Sequence, residues 1–295
     1  MKEHFILSNY LKASKTFAIY RDVFKSMSVG DIYSPIEIRT FNPSQLSVDE
    51  LSKLGEFIKM FKRNPKAISI VVSNPFKQCI SEYCDEMDDV GKQMNTVNLI
   101  QKKSGKLVGM NIDGEAFFLG QREAINYDFR NQTVLFLGCG GVSTAVAFKL
   151  AGVDTKAVYL FDIHAKKAKV LGKKLRQNFP NLTVRELSGI DNRILSQINV
   201  IYNGTGIGKK SDNPQSVDES PLINSLLFPA GVLAIDANYT PWKTKFLDQC
   251  GEKGCRTLNG FSHMIAFTSL HLSRVLDTQI EVGTVMEIGR KYVRS

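Results

Sequence analysis

A glycine cluster between an apolar run and a helical pattern is the first place where the sequence indicates chemistry. Residues 133–137 are apolar, and Gly138-Cys-Gly140-Gly141 follows them before apolar residues resume at helical spacing with Val142. Glycines lack a Cβ atom, so a sharp turn can bring an anionic group close to the unpaired N–H groups of the next helix. The stretch therefore fits either a dinucleotide pyrophosphate site or an ordinary tight turn.

An acidic residue at the end of the next strand favours the coenzyme interpretation. Residues 157–161 are strand-like and lead into Asp162. Its separation from Gly138 is close to the roughly 20 residues at which dinucleotide folds place the acid that binds the adenosine ribose. A carboxylate there repels a 2′-phosphate, so NAD is the expected coenzyme. Lys166 and Lys167 lie nearby and leave NADP possible.

A lysine beyond an earlier strand could supply proton transfer. Residues 67–72 form a buried strand pattern, and Ser73-Asn-Pro-Phe-Lys77 follows where open α/β sheets bind ligands. Asn111 and Asp113 stand in a later turn. Oxidation of an alcohol needs a group that takes the hydroxyl proton as hydride leaves, and a lysine paired with an aspartate can serve. Asx-turn chemistry and a solvated ion pair are the alternatives.

The elements that position these residues alternate along the chain, which predicts parallel α/β sheets. Strand-like segments cover residues 5–7, 33–39, 67–72, 133–137, 157–161, 198–202 and 232–236. Helical spacing covers residues 16–27, a segment opened by the capping box 47–50, and residues 115–126 and 262–276; a further helix is expected after residue 77. Ser14 and Thr16 start the first helix, as caps or as hydroxyls that face a ligand.

Composition limits the class of protein. A chain of 295 residues with 43% hydrophobic and 23% charged residues is typical of a soluble globular protein, long enough for two domains. Five cysteines without a Cys-x-x-Cys pair, and four scattered histidines, favour neither a disulfide framework nor a metal site. Without a membrane-span pattern or a secretory apolar core, the expected location is the cytoplasm.

The net charge of +9 bears on the partners that we expect. A basic surface attracts nucleic acid, but the densest basic segment, residues 166–176, carries apolar residues at helical spacing. A solvated helix face explains that segment at least as well. A small anionic ligand also suits a basic protein, so we expect a small-molecule substrate, no nucleic acid and no membrane partner, in a monomer or homodimer.

Six motifs in order resemble the shikimate/quinate dehydrogenase family over nearly the whole chain. The family pattern Thr-x-Pro-(Phe/His)-Lys is matched by residues 73–77 with serine for threonine, and Gly-x-Asn-x-Asp-Gly is matched in full by residues 109–114. The family's Val-Asn-Thr, glycine-loop, Asn-Ala-Thr-Pro-x-Gly and Asp-x-x-Tyr-x-Pro segments are similar to residues 94–96, 138–141, 203–208 and 236–241. Each motif is weak alone, whereas six in the right order are specific.

The resemblance implies two α/β domains: a substrate domain with a mainly parallel sheet, residues 1–114 and 261–295, and a Rossmann-type doubly wound NAD(P)-binding domain, residues 115–260. It implies hydride transfer between NAD(P) and the ring hydroxyl or ketone of a cyclic polyhydroxy carboxylate such as shikimate or quinate. Lys77 would transfer the proton with Asp113 as its partner. The implied substrate residues are Ser14, Thr16, Ser73, Asn95, Tyr239 and Phe267, and the implied coenzyme residues are Gly138, Gly140, Gly141, Val142, Asp162, Asn203, Thr205 and Gly260.

Departures from the family pattern point to an altered substrate. Ala13 and Phe17 replace the histidine and proline that flank the hydroxyl pair, and Val71 replaces an asparagine. Phe267 stands where the last helix normally presents a glutamine to the substrate. Sites built on such hydrogen bonds discriminate between substrates by up to about 10⁴–10⁵. The reaction type can therefore persist while the substrate changes.

Two further inferences follow from the resemblance. Asp162-Ile-His164 occupies the place of the Asn-Arg-Thr that NADP-using members carry, which is consistent with NAD. A dinucleotide-binding regulator that keeps the fold with little catalysis is the alternative function. Retention of both Lys77 and Asp113 favours the enzyme, because a sensor has no need of a proton-transfer pair.

Overall fold

The computed structural model describes residues 1–9, 15–42, 45–209, 217–222 and 227–292, so Ser14 and Ala13 lie outside the described residues. The chain forms two compact units. Unit 1 contains residues 1–112 and 267–292, and unit 2 contains residues 113–266. The boundaries between the units fall after residues 112 and 266. The domain boundaries predicted from the sequence lie after residues 114 and 260.

Unit 1 is built on a six-stranded sheet in the order β2-β1-β3-β5-β6-β4. Its strands are β1 (Glu3–Ser8), β2 (Ile32–Glu37), β3 (Ala67–Val72), β4 (Glu86–Met87), β5 (Leu99–Lys103) and β6 (Lys106–Met110). β5 runs antiparallel to both neighbours, and the other pairs are parallel. The reversal follows from the turn after β5, because Ser104 and Gly105 both have positive φ and close a two-residue hairpin.

The helices of unit 1 cover its sheet. They are α1 (Lys15–Ser26), α2 (Val48–Arg63), the short α3 (Asp89–Met94), the part of α9 (Phe261–Leu276) from residue 267 onward, and α10 (Val282–Arg290). The predicted capping box is confirmed, because Glu50 N donates to Ser47 Oγ and Ser47 N donates to Glu50 Oε2. The helix expected after residue 77 is confirmed as α3, which follows a 3₁₀ turn (Cys79–Tyr83) and β4, the strand that pairs with β6.

Unit 2 is built on a second six-stranded sheet, in which every pair is parallel. Its strands are β7 (Thr133–Leu137), β8 (Ala157–Phe161), β9 (Thr183–Glu186), β10 (Val200–Asn203), β11 (Leu233–Asp236) and β12 (Arg256–Leu258), in the order β12-β11-β10-β7-β8-β9. The chain reverses its direction across the sheet between β7 and β10. Open α/β sheets bind ligands at this switch point, outside the carboxyl ends of the strands.

Among the residues of unit 2 that the structure describes, there are five helices besides the first turns of α9. They are α4 (Asp113–Ile125), α5 (Gly141–Ala151), α6 (Ala165–Asn178), α7 (Asn192–Leu195) and α8 (Lys245–Glu252). The predicted fold class, α/β with a doubly wound Rossmann-type unit, is confirmed by this topology. Across the described ranges, no helix has both the length and the apolarity needed to cross a membrane.

Candidate functional site

The glycine loop lies between β7 and α5 at the switch point of unit 2. Gly138 has a φ of +82°, and a Cβ atom there would lie 3.0 Å from Thr205, so conformation and packing both require glycine. Gly140 is the N-cap of α5 and makes no side-chain cap, and a Cβ on Gly140 or Gly141 would meet no atom within 4 Å. The N-terminus of α5 is therefore open to an approaching phosphate. Val142 is the next residue and is half-buried.

Asp162 holds the glycine loop from the end of β8. Its Oδ2 accepts from Cys139 N at 2.8 Å, and its Oδ1 accepts from His164 N at 2.8 Å. Burial, with a smaller contribution from Asp162, raises the pKa of the Cys139 thiol to about 12, so this cysteine is a protonated packing residue. Ile163 is 82% exposed beside Asp162. The carboxylate is thus placed next to the loop, with an uncharged side chain as its neighbour.

Asn203 organises the end of β10. Its Oδ1 accepts from Thr205 Oγ1 at 2.7 Å and from Thr205 N at 3.1 Å, while its Nδ2 donates to Asp236 Oδ2 at 3.1 Å. Asn203 is completely buried. Its side chain therefore shapes the loop at residues 204–208, which lies beside the glycine loop through the contact between Thr205 and Gly138.

Asp236, at the end of β11, begins the family-like segment 236–241 and is a structural centre to which the sequence analysis assigned no role. It accepts from Thr244 Oγ1 at 2.6 Å, from Asn238 N at 2.8 Å and from Asn203 Nδ2. Burial raises the pKa of Asp236 to about 6, and the hydrogen bonds from Thr244 and its neighbours oppose that shift. An acid that closes an apolar strand next to an Asx-type turn is the sequence signal that could have identified it.

Tyr239 lies close in sequence to this centre, whereas Gly260 reaches it through contact with the loop after β11. A Cβ on Gly260 would lie 2.0 Å from Ala237 O, so the close approach of the two backbones requires glycine. Gly260 N donates to Asn238 O at 2.9 Å, which fixes the start of α9 against the loop after β11. Tyr239 lies on that loop and is half-buried.

Asp113 is the first residue of α4 and is 5% exposed. Its charge and that of Asp236 act on the Tyr202 hydroxyl, although burial is the largest of the causes that raise the Tyr202 pKa well above its usual range. Tyr202 is completely buried and lies one residue before Asn203. No sequence signal distinguishes Tyr202, because an aromatic residue in a strand is usually a packing residue.

In unit 1, Ser73 and Lys77 stand directly beyond β3. Ser73 N donates to Leu7 O at 2.9 Å, Phe76 N donates to Ser73 O at 3.1 Å, and the Lys77 carbonyl accepts from Val97 N at 2.7 Å. Phe76 is completely buried and anchors the turn. Ser73 and Lys77 remain half-buried, so the turn presents both beyond the carboxyl end of a central strand.

Asn95 and Asn111 have different roles in unit 1. Asn95 is exposed and ends α3 in the left-handed region, with φ of 52° and ψ of 46°. Asn111 is buried; its Nδ2 donates to Thr96 Oγ1 at 2.8 Å, and its Oδ1 accepts from Asn98 Nδ2 at 3.0 Å. Asn111 therefore supports the segment that presents Asn95.

Two helices carry the remaining predicted substrate residues. Thr16 is the second residue of α1 and is half-buried, and Phe267 is 9% exposed on α9. The role of Ser14 as a cap or a ligand stays a prediction because that residue lies outside the described residues. Unit 1 thus contains Thr16, Ser73, Lys77, Asn95 and Phe267, and unit 2 contains Asp113, Tyr239 and all the predicted coenzyme residues.

The sequence is similar to curated shikimate dehydrogenases (NADP+). The enzyme of Alkaliphilus oremlandii is 26% identical over 264 residues, which cover 88% of this chain and 86% of that protein. The enzyme of Caldicellulosiruptor saccharolyticus is 25% identical over 266 residues, covering 90% of this chain and 88% of that protein. No protein-family model matches the chain.

Solved structures share the fold over essentially the full length. A shikimate dehydrogenase in complex with NADP+ has a TM-score of 0.84 at 20% identity, covering 99% of this chain and 96% of that chain. A Listeria monocytogenes shikimate 5-dehydrogenase with shikimate and NAD has a TM-score of 0.81 at 20% identity, covering 98% and 96%. Corynebacterium glutamicum quinate dehydrogenase with NAD has a TM-score of 0.81 at 19% identity, covering 98% and 99%.

The doubly wound unit with its open glycine loop is thus shared with solved dehydrogenases that hold NADP+ or NAD. The resemblance predicted from the motifs is confirmed, because the chain is similar to curated shikimate dehydrogenases over 88–90% of its length and shares their fold.

Proposed function

We propose that the protein transfers a hydride between NAD and the ring hydroxyl or ketone of a cyclic polyhydroxy carboxylate of the shikimate or quinate type. The observation that carries the proposal is the open N-terminus of α5, where Gly140 and Gly141 leave space that no protein atom needs. Such a site suits a pyrophosphate. When bound, the coenzyme supplies the hydride acceptor, and residues of this chain supply binding and proton transfer.

NAD is the proposed coenzyme because the residues after β8 suit an unphosphorylated ribose. Asp162 places a carboxylate beside the glycine loop, and this charge repels a 2′-phosphate. Ile163 stands where NADP-using members carry arginine, and its apolar side chain cannot pair with a phosphate. The curated relatives are NADP-linked, so the preference is proposed for this chain from its own residues.

Lys77 and Asp113 are the proposed proton-transfer pair. In the oxidation direction, Lys77 would take the proton of the substrate O–H bond as the C–H hydride leaves, and the bound coenzyme would accept that hydride. In reduction the lysine ammonium returns that proton to the alkoxide. Asp113 is the proposed partner of the lysine, and the proposed ligands of the substrate hydroxyls and carboxylate are Ser14, Thr16, Ser73, Asn95 and Tyr239.

Phe267 makes an altered substrate part of the proposal. An aromatic side chain cannot donate or accept the hydrogen bonds of an amide, so one hydroxyl of shikimate would lose its partner there. Phe267 is almost completely buried, which suits contact with an apolar edge of a substrate. A related cyclic hydroxy acid with fewer hydroxyl groups is therefore included among the proposed substrates.

The deciding experiment measures reduction of NAD and of NADP in the presence of shikimate, quinate and less hydroxylated cyclic hydroxy acids. Lys77→Ala is expected to lower kcat by roughly 10²–10⁴-fold while NAD still binds. Lys103→Ala, at an exposed lysine at the end of β5, is the matched control. Coenzyme binding without turnover of any substrate would instead favour the dinucleotide-binding regulator.

A further inference from the structure

A continuous chain of hydrogen bonds crosses the core of unit 1 outside the proposed reaction. His4 Nε2 lies 3.4 Å from Asp31 Oδ2, and His4 Nδ1 lies 2.8 Å from Ser69 Oγ. Ser69 Oγ lies 3.1 Å from His271 Nε2, and His271 Nδ1 lies 2.7 Å from the Tyr20 hydroxyl. Four of these five side chains are completely buried. Ser69, His4 and Asp31 follow one another as in a hydrolytic triad, but they do not form a hydrolytic site, because the buried Ser69 is out of reach of a substrate.

The Asp31 carboxylate sets the direction of every bond in this chain. An ionised carboxylate only accepts, so His4 donates from Nε2 and its Nδ1 accepts from the Ser69 hydroxyl. Ser69 Oγ then accepts from His271 Nε2–H, and His271 Nδ1 accepts from the Tyr20 hydroxyl. Each imidazole is neutral with one donating and one accepting nitrogen, which agrees with burial lowering the pKa of both histidines.

Two helices joined by this chain each carry a proposed substrate residue one turn away. Tyr20 lies four residues after Thr16 on α1, and His271 lies four residues after Phe267 on α9. Residues four apart lie on the same face of a helix. A rotation of either helix that broke the bond between His271 and Tyr20 would therefore also displace Thr16 or Phe267.

The strand β3, which contributes Ser69 to the chain of hydrogen bonds, also carries the network towards the proposed substrate residues. Ser69 lies on β3, four residues before Ser73, and β3 leads directly into the turn that carries Lys77. An even spacing keeps two residues on the same face of an extended strand. The bond from His271 to Ser69 therefore fixes α9 against the strand that ends in the substrate turn.

We infer that His271 is a positioning residue for the substrate, which fixes α1 through Tyr20 and β3 through Ser69. The inference rests on the proposed function, because Thr16, Ser73, Lys77 and Phe267 are proposed substrate-side residues.

The test compares substitutions of His271 with a change elsewhere on α9. His271→Phe keeps a ring and removes both bonds, whereas His271→Asn keeps a polar atom facing Tyr20. Ser269→Ala is the matched control, because Ser269 is also buried on α9 but donates to Ile280 O at 2.5 Å. With shikimate and saturating NAD, His271→Phe is expected to raise KM about tenfold with kcat close to wild type.

Partial recovery of KM in His271→Asn, and an unchanged KM in Ser269→Ala, are the remaining expected results. An unchanged KM in His271→Phe, or an equal rise in Ser269→Ala, would overturn the positioning role. If His271→Phe does not fold, Tyr20→Phe removes only the hydroxyl that contacts His271 and leaves the stacked ring, whose centroid is 4.4 Å from that of Tyr33.

Hydrogen–deuterium exchange separates this inference from the proposed function. Exchange in residues 16–26 is expected to rise about tenfold in His271→Phe and to a smaller extent in Tyr20→Phe, but not in Ser269→Ala. If the wild type turns over none of the hydroxy acids, the proposed function fails while α1 exchange still reports on positioning. Unchanged exchange in α1 in both variants would sink the inference.

Discussion

At the scale of single residues, the proposed preference for NAD rests on Asp162 and Ile163, which follow β8. Asp162 accepts from two backbone N–H groups, so its position is fixed by the loop that it holds. Ile163 is 82% exposed and is therefore free of a packing role that would resist substitution. A positive charge can be added at this position without disturbing the core.

Ile163→Arg is expected to raise kcat/KM for NADP by roughly 10–100-fold, since an arginine–phosphate pair contributes about 1.5–3 kcal/mol. Activity with NAD should change little. Steady-state kinetics with both coenzymes gives the ratio of kcat/KM for NADP to kcat/KM for NAD. Ile163→Gln supplies a polar control without charge. No gain with NADP in the arginine variant would show that the 2′-phosphate does not approach residue 163.

The buried histidines of unit 1 predict a loss of stability in acid. Burial is the largest cause that lowers the pKa of both His4 and His271. Lys2 also lowers the pKa of His4, which Asp31 raises, and Arg274 also lowers the pKa of His271. In this range the unfolded chain binds protons that the folded chain does not. The contribution of the two neutral histidines to the free energy of unfolding is therefore fully present above about pH 6.5, and it is lost as the pH falls below that value.

His271→Asn should be less destabilising at pH 5.5 than at pH 7.5, by about 1 kcal/mol, because it removes one of the groups that titrate. Urea denaturation of wild type and variant at the two pH values measures this difference in the free energy of unfolding. A destabilisation that is equal at both pH values would mean that His271 does not titrate in this range.

At the scale of elements, the glycines at the site differ in what requires them. Gly138 and Gly260 are required by the protein itself, through a positive φ and a contact with Thr205 at the first, and a backbone contact at the second. Gly140 has an ordinary φ of −77° and nothing near its Cα. Its role is therefore to leave room at the N-terminus of α5.

Gly140→Ala is expected to leave the melting temperature unchanged and to raise the Kd for NAD about tenfold or more, because a methyl group meets the pyrophosphate and no protein atom. Calorimetry and ligand titration measure the two quantities. Gly283→Ala in α10 is the matched control, with equally open space and no proposed ligand. A Kd for NAD like that of wild type in Gly140→Ala would place the coenzyme elsewhere.

At the scale of the whole molecule, the two units differ in how the chain builds them. Unit 2 is continuous, whereas unit 1 needs residues 267–292 from the end of the chain. These residues supply the buried His271, and Tyr292 donates to Asp22 on α1 at 2.5 Å. Lys291 and Tyr292 are the main causes that lower the pKa of Asp22 to about 2.

A fragment of residues 113–266 is therefore expected to fold and bind NAD with an affinity within about tenfold of the full chain, while residues 1–112 alone should not fold cooperatively. Circular dichroism with thermal unfolding, and titration with NAD, test the two fragments. Cooperative unfolding of the 1–112 fragment would contradict the structural need for α9 and α10.

The net charge of +9 predicts salt-dependent binding of the anionic substrate. Raising the ionic strength from about 0.05 to 0.5 M shortens the Debye length to a few ångströms, so KM should rise several-fold while kcat stays nearly constant. Kinetics at several NaCl concentrations test this expectation. A KM for the anionic substrate that does not change with salt would exclude long-range attraction of the carboxylate.

Much of the fold could be predicted from local sequence, because each feature depends on residues that are neighbours in the chain. The apolar runs of β3 and β8, the capping box at Ser47 and the strand–glycine–helix pattern at Gly138 were each found at their predicted places. The short strand after Lys77 was not predicted, and the reason is the opposite one. There the short β4 pairs with β6, and pairing with a separate strand leaves no periodic signal.

The sequence by itself determined the α/β class, the family resemblance, the glycine loop and the strand ends where the proposed site residues stand, since periodicity and short motifs are local properties of the chain. Only the tertiary structure decided which polar groups form partnerships. It commits Asn111 to Thr96 and Asn98, makes Asp236 a buried hydrogen-bond centre, and joins Ser69 to His271 across 202 positions. Burial forces such groups to find partners, and the folded chain alone determines which ones are near.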